Sequence, residues 1–576
     1  MKVCLAQINT TPGDFSGNYD SIQMGVKYAS ENRCDLVVFP ELTIPGYLSQ
    51  DLLYNSEFIE SNFSALQKLV DLSRSMSPGL HIVVGYVGRN EGVGKPFTNM
   101  AAVISEGRMV GTYQKQLLPF YDVFDELRYF EAGSTINVLD INGLKVGIAI
   151  CEDLWNDKDA DDYRYENNPL DQYRAADVDV LVSLNSSPFV RNKPGVRLKK
   201  IAPGSASGMA IVYVNQVGGQ DELVFDGGSF VVKDGKLIHY SDELYDNSYE
   251  VVDLESQNAI SAPEVLTSTS RLVDLLIVGL KDYVEKSGFR DIVLASSGGV
   301  DSAVVCKLAC SAVGPEHVHA VRMPSIFSSS HSSDDARALH QNLGCWDYEV
   351  PIEHELLVEE LNRLYKTNRS SANLVSRRFH DDAYLTVADE NIQARLRDVY
   401  LMHFSNAFGA IPLSTGNKTE AGCGYYTHFD MNFSYAPIKD LYKFQVMDIA
   451  KEDPKIPAHI WKKPPSAELS HGQTDEGSLL PYAVLDPIVM AYVEDYVTTF
   501  ERFCEWIPEQ RNTKISGDEK TLSTWLTKDG SEQDYRRIVS LIGKMEYKRR
   551  QACPGTKVSK VAFGTGRRIP IVEKWS

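Results

Sequence analysis

Cysteine is scarce and scattered in this chain: nine among 576 residues, with no Cys-x-x-Cys pair. That excludes a disulfide-stapled scaffold and a short-spaced zinc ribbon, and it suits free thiols in a reducing compartment. Cys306 and Cys310 share one helix face. With no ligand partner nearby in the sequence, they read as core residues rather than metal ligands. Long apolar runs are missing too, so no segment is expected to span a bilayer. The opening MKVCLAQI enters a strand directly, without a charged and then apolar leader, and the expected location is the cytoplasm. Positive charge is in deficit: 58 Lys and Arg stand against 78 Asp and Glu, a formal net charge of -20. A nucleic-acid partner is excluded, because phosphate backbones attract basic surfaces. A small anionic substrate stays open, since one local basic pocket suffices. No internal repeat is present.

What is there is ordinary for globular protein, with 43% hydrophobic and 24% charged residues. The length is too great for one core, so two large domains are expected. Up to about residue 252 the chain has short β-branched runs such as HIVVGYV, KVGIAI, VDVLVSLN and AIVYVN. Helical stretches separate some of them. The turns EGR at 106–108 and DG at 234–235 predict hairpins. Residues 253–262 read as a linker. From 263 to 576 strands alternate with helices: DIVLA, SAVVCKLACSAVG, HVHAVRM, SSDDARALHQNLG, WDYEV. That order predicts a doubly wound parallel sheet. The serine-rich IFSSSHSSDD at 326–335 reads as a mobile loop.

Three polar residues in the first half each stand just past an apolar run: Glu41 after DLVVFP, Lys115 after MVGTYQ, Cys151 after LKVGIAI. Loops at strand ends are where sheet proteins mount chemistry. A cysteine attacks as thiolate, a glutamate takes its proton, and a lysine stabilises the oxyanion. The set suits cleavage of an amide through a thioester. Each residue alone is more often a solvated loop or core residue. The wording around them changes the balance. FPELTIPGY, YQKQLLPFYDVFDELRYF and ICEDLW resemble, in order, the catalytic segments of the nitrilase and carbon–nitrogen hydrolase superfamily. The resemblance implies an α-β-β-α sandwich. Glu41 would be the general base, Lys115 the oxyanion stabiliser and Cys151 the nucleophile. Glu126 would orient the lysine. Tyr121, Ser187 and Lys193 match positions that bind glutamine in the glutamine amidase branch.

Midway, LASSGGVDSAV joins a strand to a helix. It lacks the Gly-Lys-Ser/Thr ending of a P-loop. Glycines let backbone N–H groups approach phosphate oxygens, and the helix N-terminus adds positive potential. With no lysine to draw a γ-phosphate, the loop suits pyrophosphate as leaving group. It resembles the PP-loop of the N-type ATP pyrophosphatases, a Rossmann-like doubly wound fold. ENIQARLR, LSTGNKTE, APIKDL, PSAEL with GQTDE, and YKRRQACPGTKVSKVAFGTGRRIP together resemble the NAD synthetases.

That resemblance implies glutamine-dependent amidation of deamido-NAD with ATP, giving NAD, AMP, pyrophosphate and glutamate. By motif position ATP would lie on Ala295, Ser296, Ser297, Gly298, Gly299, Val300, Asp301, Ser302 and Thr415. Deamido-NAD would lie on Asn391, Glu420 and Lys548, and magnesium on Asp301 and Glu420. Arg395 and Arg397 stay open between a solvated helix face and the site. The basic KRR at 548–550 is better explained by an anionic ligand than by a surface charge run. Ala295 and Ser296 depart from the family, which more often has a glycine and an apolar residue there. The stretch 419–440 departs as well. The resemblance also implies ammonia passing inside the protein and a homo-oligomer built on a synthetase-domain dimer, up to an octamer. A different amidase-coupled, AMP-forming ligase acting on another carboxylate is the alternative reading.

Overall fold

A computed structural model of the chain describes residues 1–155, 165–206, 208–255, 258–262, 269–368, 382–427, 433–466, 468–470, 479–511 and 513–572. Residues 256–257 of the expected linker, 428–432 of the divergent stretch, and 467 and 471–476 of the PSAEL–GQTDE segment lie outside the described residues. The chain forms two compact units, Met1–Asp282 and Tyr283–Ser576.

The first unit carries β1 (Lys2–Gln7), β2 (Leu36–Val38), β3 (His81–Arg89), β4 (Phe97–Ser105), β5 (Arg108–Gln114), β6 (Val138–Ile141) and β7 (Leu144–Ile150). Then follow β8 (Val180–Asn185), β9 (Ala210–Asn215), β10 (Val217–Gln220), β11 (Leu223–Asp226), β12 (Phe230–Lys233), β13 (Lys236–Tyr240) and β14 (Ser248–Asp253). Two mixed six-stranded sheets result, ordered β14-β1-β2-β3-β4-β5 and β13-β12-β9-β8-β7-β6. Side chains alternate across a strand, and β1 shows the consequence. Val3 and Leu5 join Val146, Ile148 and Val182 in the core between the sheets. Cys4 and Ala6 face the other way, onto Ile22 and Val26 of the helix Phe15–Glu31 and Leu66 and Leu69 of the helix Ser56–Ser73. The second sheet turns Leu181 and Ile211 outward onto Leu170 and Leu198 of its own helices. The layers are α-β-β-α.

Both expected hairpins form. Glu106 and Gly107 have φ of 49° and 77°, and Asp234 and Gly235 have φ of 50° and 72°. Two successive left-handed residues give the turn twist that suits antiparallel strands.

In the second unit β15 (Ile292–Ala295), β16 (Val318–Arg322), β17 (Trp346–Glu349) and β18 (Ile411–Leu413) form a parallel sheet ordered β17-β16-β15-β18. From β15 the chain first winds outward to β16 and β17, then returns to place β18 on the other flank. The carboxyl ends of β15 and β18 therefore flank a topological switch point, where open α/β sheets bind ligands. A separate apolar cluster joins the helices Tyr482–Asp495, Phe500–Glu509 and Ser531–Lys544 through Ile488, Phe503 and Ile538.

The serine-rich stretch 326–335 corrects the sequence reading. A helix begins at Ser330 and runs to Leu343. Ser329 is its N-cap, its hydroxyl accepting from the Ser332 N–H. Serines gather there because they cap a helix, not because the chain is a loop throughout.

Candidate active sites

The first site forms where β2, β5 and β7 end. Glu41, Lys115 and Cys151 are all buried. The Lys115 ammonium donates to Glu41 Oε1 at 2.6 Å and to both Glu126 oxygens at 2.9 Å. Asn99 Nδ2 donates to Glu41 at 2.8 Å, and the Ser186 N–H reaches its second oxygen at 3.3 Å. Glu41 is thus held at both oxygens. Gly85 of β3 makes room for the loop that carries it, since a Cβ there would lie 2.2 Å from the Leu42 nitrogen.

Electrostatics follow from burial. Burial pulls the Lys115 pKa down, but Glu126 and Glu41 outweigh it and hold the ammonium well above the ordinary lysine range. Burial pushes Glu126 up to about 7 against the pull of Lys115. Burial and then Glu41 push the Cys151 thiol well above its usual value, with Lys115 opposing. At rest Cys151 is therefore a neutral thiol. Cys151 also has φ of 44°, a strained conformation for a non-glycine residue at the end of a buried strand. Asp153 holds that bend by accepting from the Ile150 N–H at 2.9 Å and the Leu117 N–H at 2.9 Å.

Next to Cys151 in the chain, Glu152 is buried. The Tyr121 and Tyr165 hydroxyls donate to its Oε1 at 2.9 and 3.1 Å. Burial raises the Glu152 pKa, and Lys115, the two tyrosines and Lys193 counter it. Lys193 lies 6.0 Å from the ring centres of both Phe124 and Trp155. Tyr121 and Lys193 therefore meet around Glu152. The Ser187 N–H donates to Asn215 Oδ1 at 2.9 Å, and its carbonyl accepts from the buried Arg197 at 3.3 Å. Arg197 pairs with Asp226 and so fixes the turn that places Ser186 on Glu41.

The second site is a cavity of about 540 Å³ at the switch point of the parallel sheet. Of the eight loop residues expected there, all but Gly298 line it, together with Thr415, Asn391, Glu420 and Lys548. Gly298 shapes the loop from behind, with φ of 74° and no space for a Cβ, which would lie 2.1 Å from the Ser332 carbonyl oxygen. Gly299 is the N-cap of the helix Val300–Val313 and offers no side-chain acceptor. The first turn of that helix points its N–H groups into a site suited to anions. Within the loop, the Ser297 N–H reaches Ser302 Oγ at 3.3 Å and the Gly299 N–H reaches Ser297 Oγ at 3.2 Å.

Asp301 and Glu420 converge on one ammonium. Lys443 Nζ pairs closely with Asp301 Oδ2 and lies 3.4 Å from Glu420 Oε1. Asn417 ties the pair together: its Nδ2 donates to Asp301 at 2.9 Å, and its N–H donates to Glu420 Oε2 at 3.2 Å. Two carboxylates already directed at a shared positive charge are the oxygen donors magnesium prefers, so these residues fit that ion.

The departing Ser296 has a partner. Its hydroxyl lies 2.9 Å from His340 Nε2, whose Nδ1 lies 2.6 Å from Asp347. Asp347 in turn receives Arg322 Nε and Nη2 at 2.7 and 2.8 Å. Arg397 lines the cavity and donates to the Met323 carbonyl at 3.0 Å, whereas Arg395 is exposed. In the basic triplet only Lys548 lines the cavity, with its ammonium on the carbonyls of Gly424 and Tyr426 at 2.8 and 2.7 Å. Arg549 instead donates to the Ala421 and Gly422 carbonyls, and Arg550 to that of Ile569. Arg549 and Arg550 also pair with Glu546, so of the triplet Lys548 alone is turned to the cavity.

Two family models cover the chain: carbon-nitrogen hydrolase over residues 2–253 and NAD synthase over 272–552. The glutamine-dependent NAD(+) synthetase of Thermotoga maritima is 34% identical, over 100% of this chain and 99% of its own. That of Synechocystis is 36% identical, over 99% and 98%. The chain belongs to the glutamine-dependent NAD(+) synthetase family. A solved glutamine-dependent NAD+ synthetase from Acinetobacter baumannii, in complex with ADP, is 31% identical with a TM-score of 0.70, covering 100% of this chain and 99% of that one.

Against this family background two residues stand out that the sequence reading did not single out. Glu152 adjoins Cys151 in ICEDLW, and only the fold brings it under the Tyr121 and Tyr165 hydroxyls. Lys443 lies just beyond APIKDL, and only the packing of the helix Lys443–Glu452 against the loop brings it to Asp301.

Proposed function

We propose that this chain is a glutamine-hydrolysing NAD synthetase. It converts deamido-NAD, ATP, L-glutamine and water to NAD, AMP, pyrophosphate and L-glutamate. The observation that carries this reading is the union, in one chain, of a buried Glu41–Lys115 pair beside Cys151 and a phosphate-binding loop that ends in Asp301.

In the first site Glu41 takes the Cys151 proton as sulfur attacks the glutamine carboxamide. Lys115 donates to the oxyanion, which a low-dielectric site makes worth far more than in water. The proton passes to the leaving ammonia, and water then hydrolyses the thioester with Glu41 as base. Glu152 receives the α-ammonium of glutamine, and Lys193 its α-carboxylate. Asp226, through Arg197, keeps the Ser187 turn in place.

In the second site the loop amides and helix N-terminus hold the phosphates of ATP. The nicotinate carboxylate of deamido-NAD attacks the α-phosphorus and pyrophosphate leaves. Ammonia then adds to the adenylated carbonyl and AMP leaves. Asp301 and Glu420 would hold magnesium, which neutralises phosphate charge when it is bound. Lys443 adds a fixed cation where charge develops on the departing phosphates.

The test compares nitrogen donors. Cys151→Ala should abolish glutamine-driven NAD formation and leave ammonia-driven formation largely intact. Equal loss of both overturns the two-site reading. Amidation of another carboxylic acid in preference to deamido-NAD would instead identify a different AMP-forming ligase.

A further inference from the structure

Cys306 and Cys310 lie four residues apart on the helix Val300–Val313, which puts them on one face. Across from them lies Cys345, just after Gly344, the left-handed cap of the helix Ser330–Leu343. The three sulfurs all fall within 4.8 Å of one another, and Cys306 Sγ lies 3.9 Å from Cys345 Sγ. A third thiol from a distant segment thus completes a set that the two helical cysteines cannot make alone. None of the three belongs to the amidase or nucleotide chemistry described above.

We propose that Cys306, Cys310 and Cys345 form a binding site for a thiophilic d¹⁰ metal ion, zinc(II) or copper(I). Three sulfurs bound at about 2.3 Å around one ion stand roughly 4 Å apart, close to the spacing found here. The group offers sulfur and no oxygen, which selects soft ions and rejects magnesium and calcium. Cys306 is fully buried and Cys345 is partly open, so Cys345 gives the entry side. On ligation each thiol that binds releases its proton to solvent. The ion would tie the helix that starts at the phosphate loop to the turn that follows His340.

The test uses the full-length protein, stripped of metal and kept reduced. Titration with Cd²⁺ alone should give a thiolate charge-transfer band that saturates at one ion per chain. Cys306→Ser and Cys345→Ser should each weaken binding by roughly 100-fold, at least the loss seen for outer partners of metal ligands. Cys504→Ser, at an exposed lone cysteine, should bind like the parent. Parent-like binding by Cys345→Ser, or loss of binding in Cys504→Ser, overturns the site. X-ray absorption of the zinc-loaded parent needs no variant and guards against misfolding. It should show three sulfurs at about 2.3 Å, and a shell of mainly nitrogen or oxygen overturns the proposal.

Discussion

His340 Nε2 stands 2.9 Å from Ser296 Oγ, and both side chains are buried. The bond fastens the phosphate loop to the helix behind it, and Asp347 fixes the imidazole through Nδ1. His340 does not line the cavity; it acts on it through Ser296 and, by way of Asp347, through Arg322, which does line it. His340→Ala should raise KM for ATP roughly ten-fold, the effect of about 1.4 kcal/mol, with a smaller change in kcat. In a Ser296→Ala background the His340→Ala effect should shrink, leaving the part that runs through Asp347 and Arg322. A double-mutant cycle on KM checks this, and additive effects would show that the two residues act separately.

Lys115 is the shared cation of two buried carboxylates. Lys115→Met should lower glutamine-driven turnover by roughly 100- to 1,000-fold through loss of the oxyanion donor. It should also destabilise the fold by about 3–5 kcal/mol, since the carboxylates lose their counter-ion. Adding Glu126→Gln should recover part of that stability without recovering turnover. Denaturant melts beside a glutaminase assay separate the two effects.

Gly298→Ala should damage the loop rather than the chemistry. A left-handed φ costs an alanine about 1–2 kcal/mol, and the clash with the Ser332 carbonyl adds to it. NAD formation should fall with either nitrogen donor, while glutamine hydrolysis by the first unit persists. Loss of hydrolysis in step with synthesis would contradict the assignment.

Lys443→Met should lower NAD formation by roughly 100- to 1,000-fold with glutamine and with ammonia alike. The substitution leaves Asp301 and Glu420 without their ammonium, so the two carboxylates should bind magnesium more tightly. A shift of the magnesium dependence to lower concentration is the readout that simple destabilisation would not produce.

Glu126 links stability to pH. Its carboxyl rises from 4.5 in the free residue to about 7 in the fold. The folded state therefore binds more protons than the unfolded one between those values. The contribution is full below about pH 4.5 and is lost as pH climbs through 7. Glu126→Gln should flatten stability across that window relative to the parent. Asp153 and Asp486, raised to about 6 and 7, remain in both proteins and cancel in the difference.

Much of this was readable in the chain before any coordinates. The strand ends bearing Glu41, Lys115 and Cys151 follow from short β-branched and apolar runs, and the hairpins follow from Glu-Gly and Asp-Gly. What stayed hidden depends on distance in sequence. Lys443 reaches Asp301 across 142 positions, and His340 reaches Ser296 across 44. Composition misled at 326–335, because serine serves a helix cap and a loop equally well. The basic run 548–550 was ambiguous in the same way: Lys548 lines the cavity, whereas Arg549 donates to the Ala421 and Gly422 carbonyls.

The phosphate loop carries its own hydroxyl acceptors for the Ser297 and Gly299 amides. An anion that enters exchanges one set of bonds for a stronger, charge-assisted set, so its grip is the difference between them. In the proposed reaction, departure of pyrophosphate would return those amides to Ser302 and Ser297. Product release would then expose neither amide as a bare donor, and the loop would reset between turnovers without recruiting solvent to those two groups.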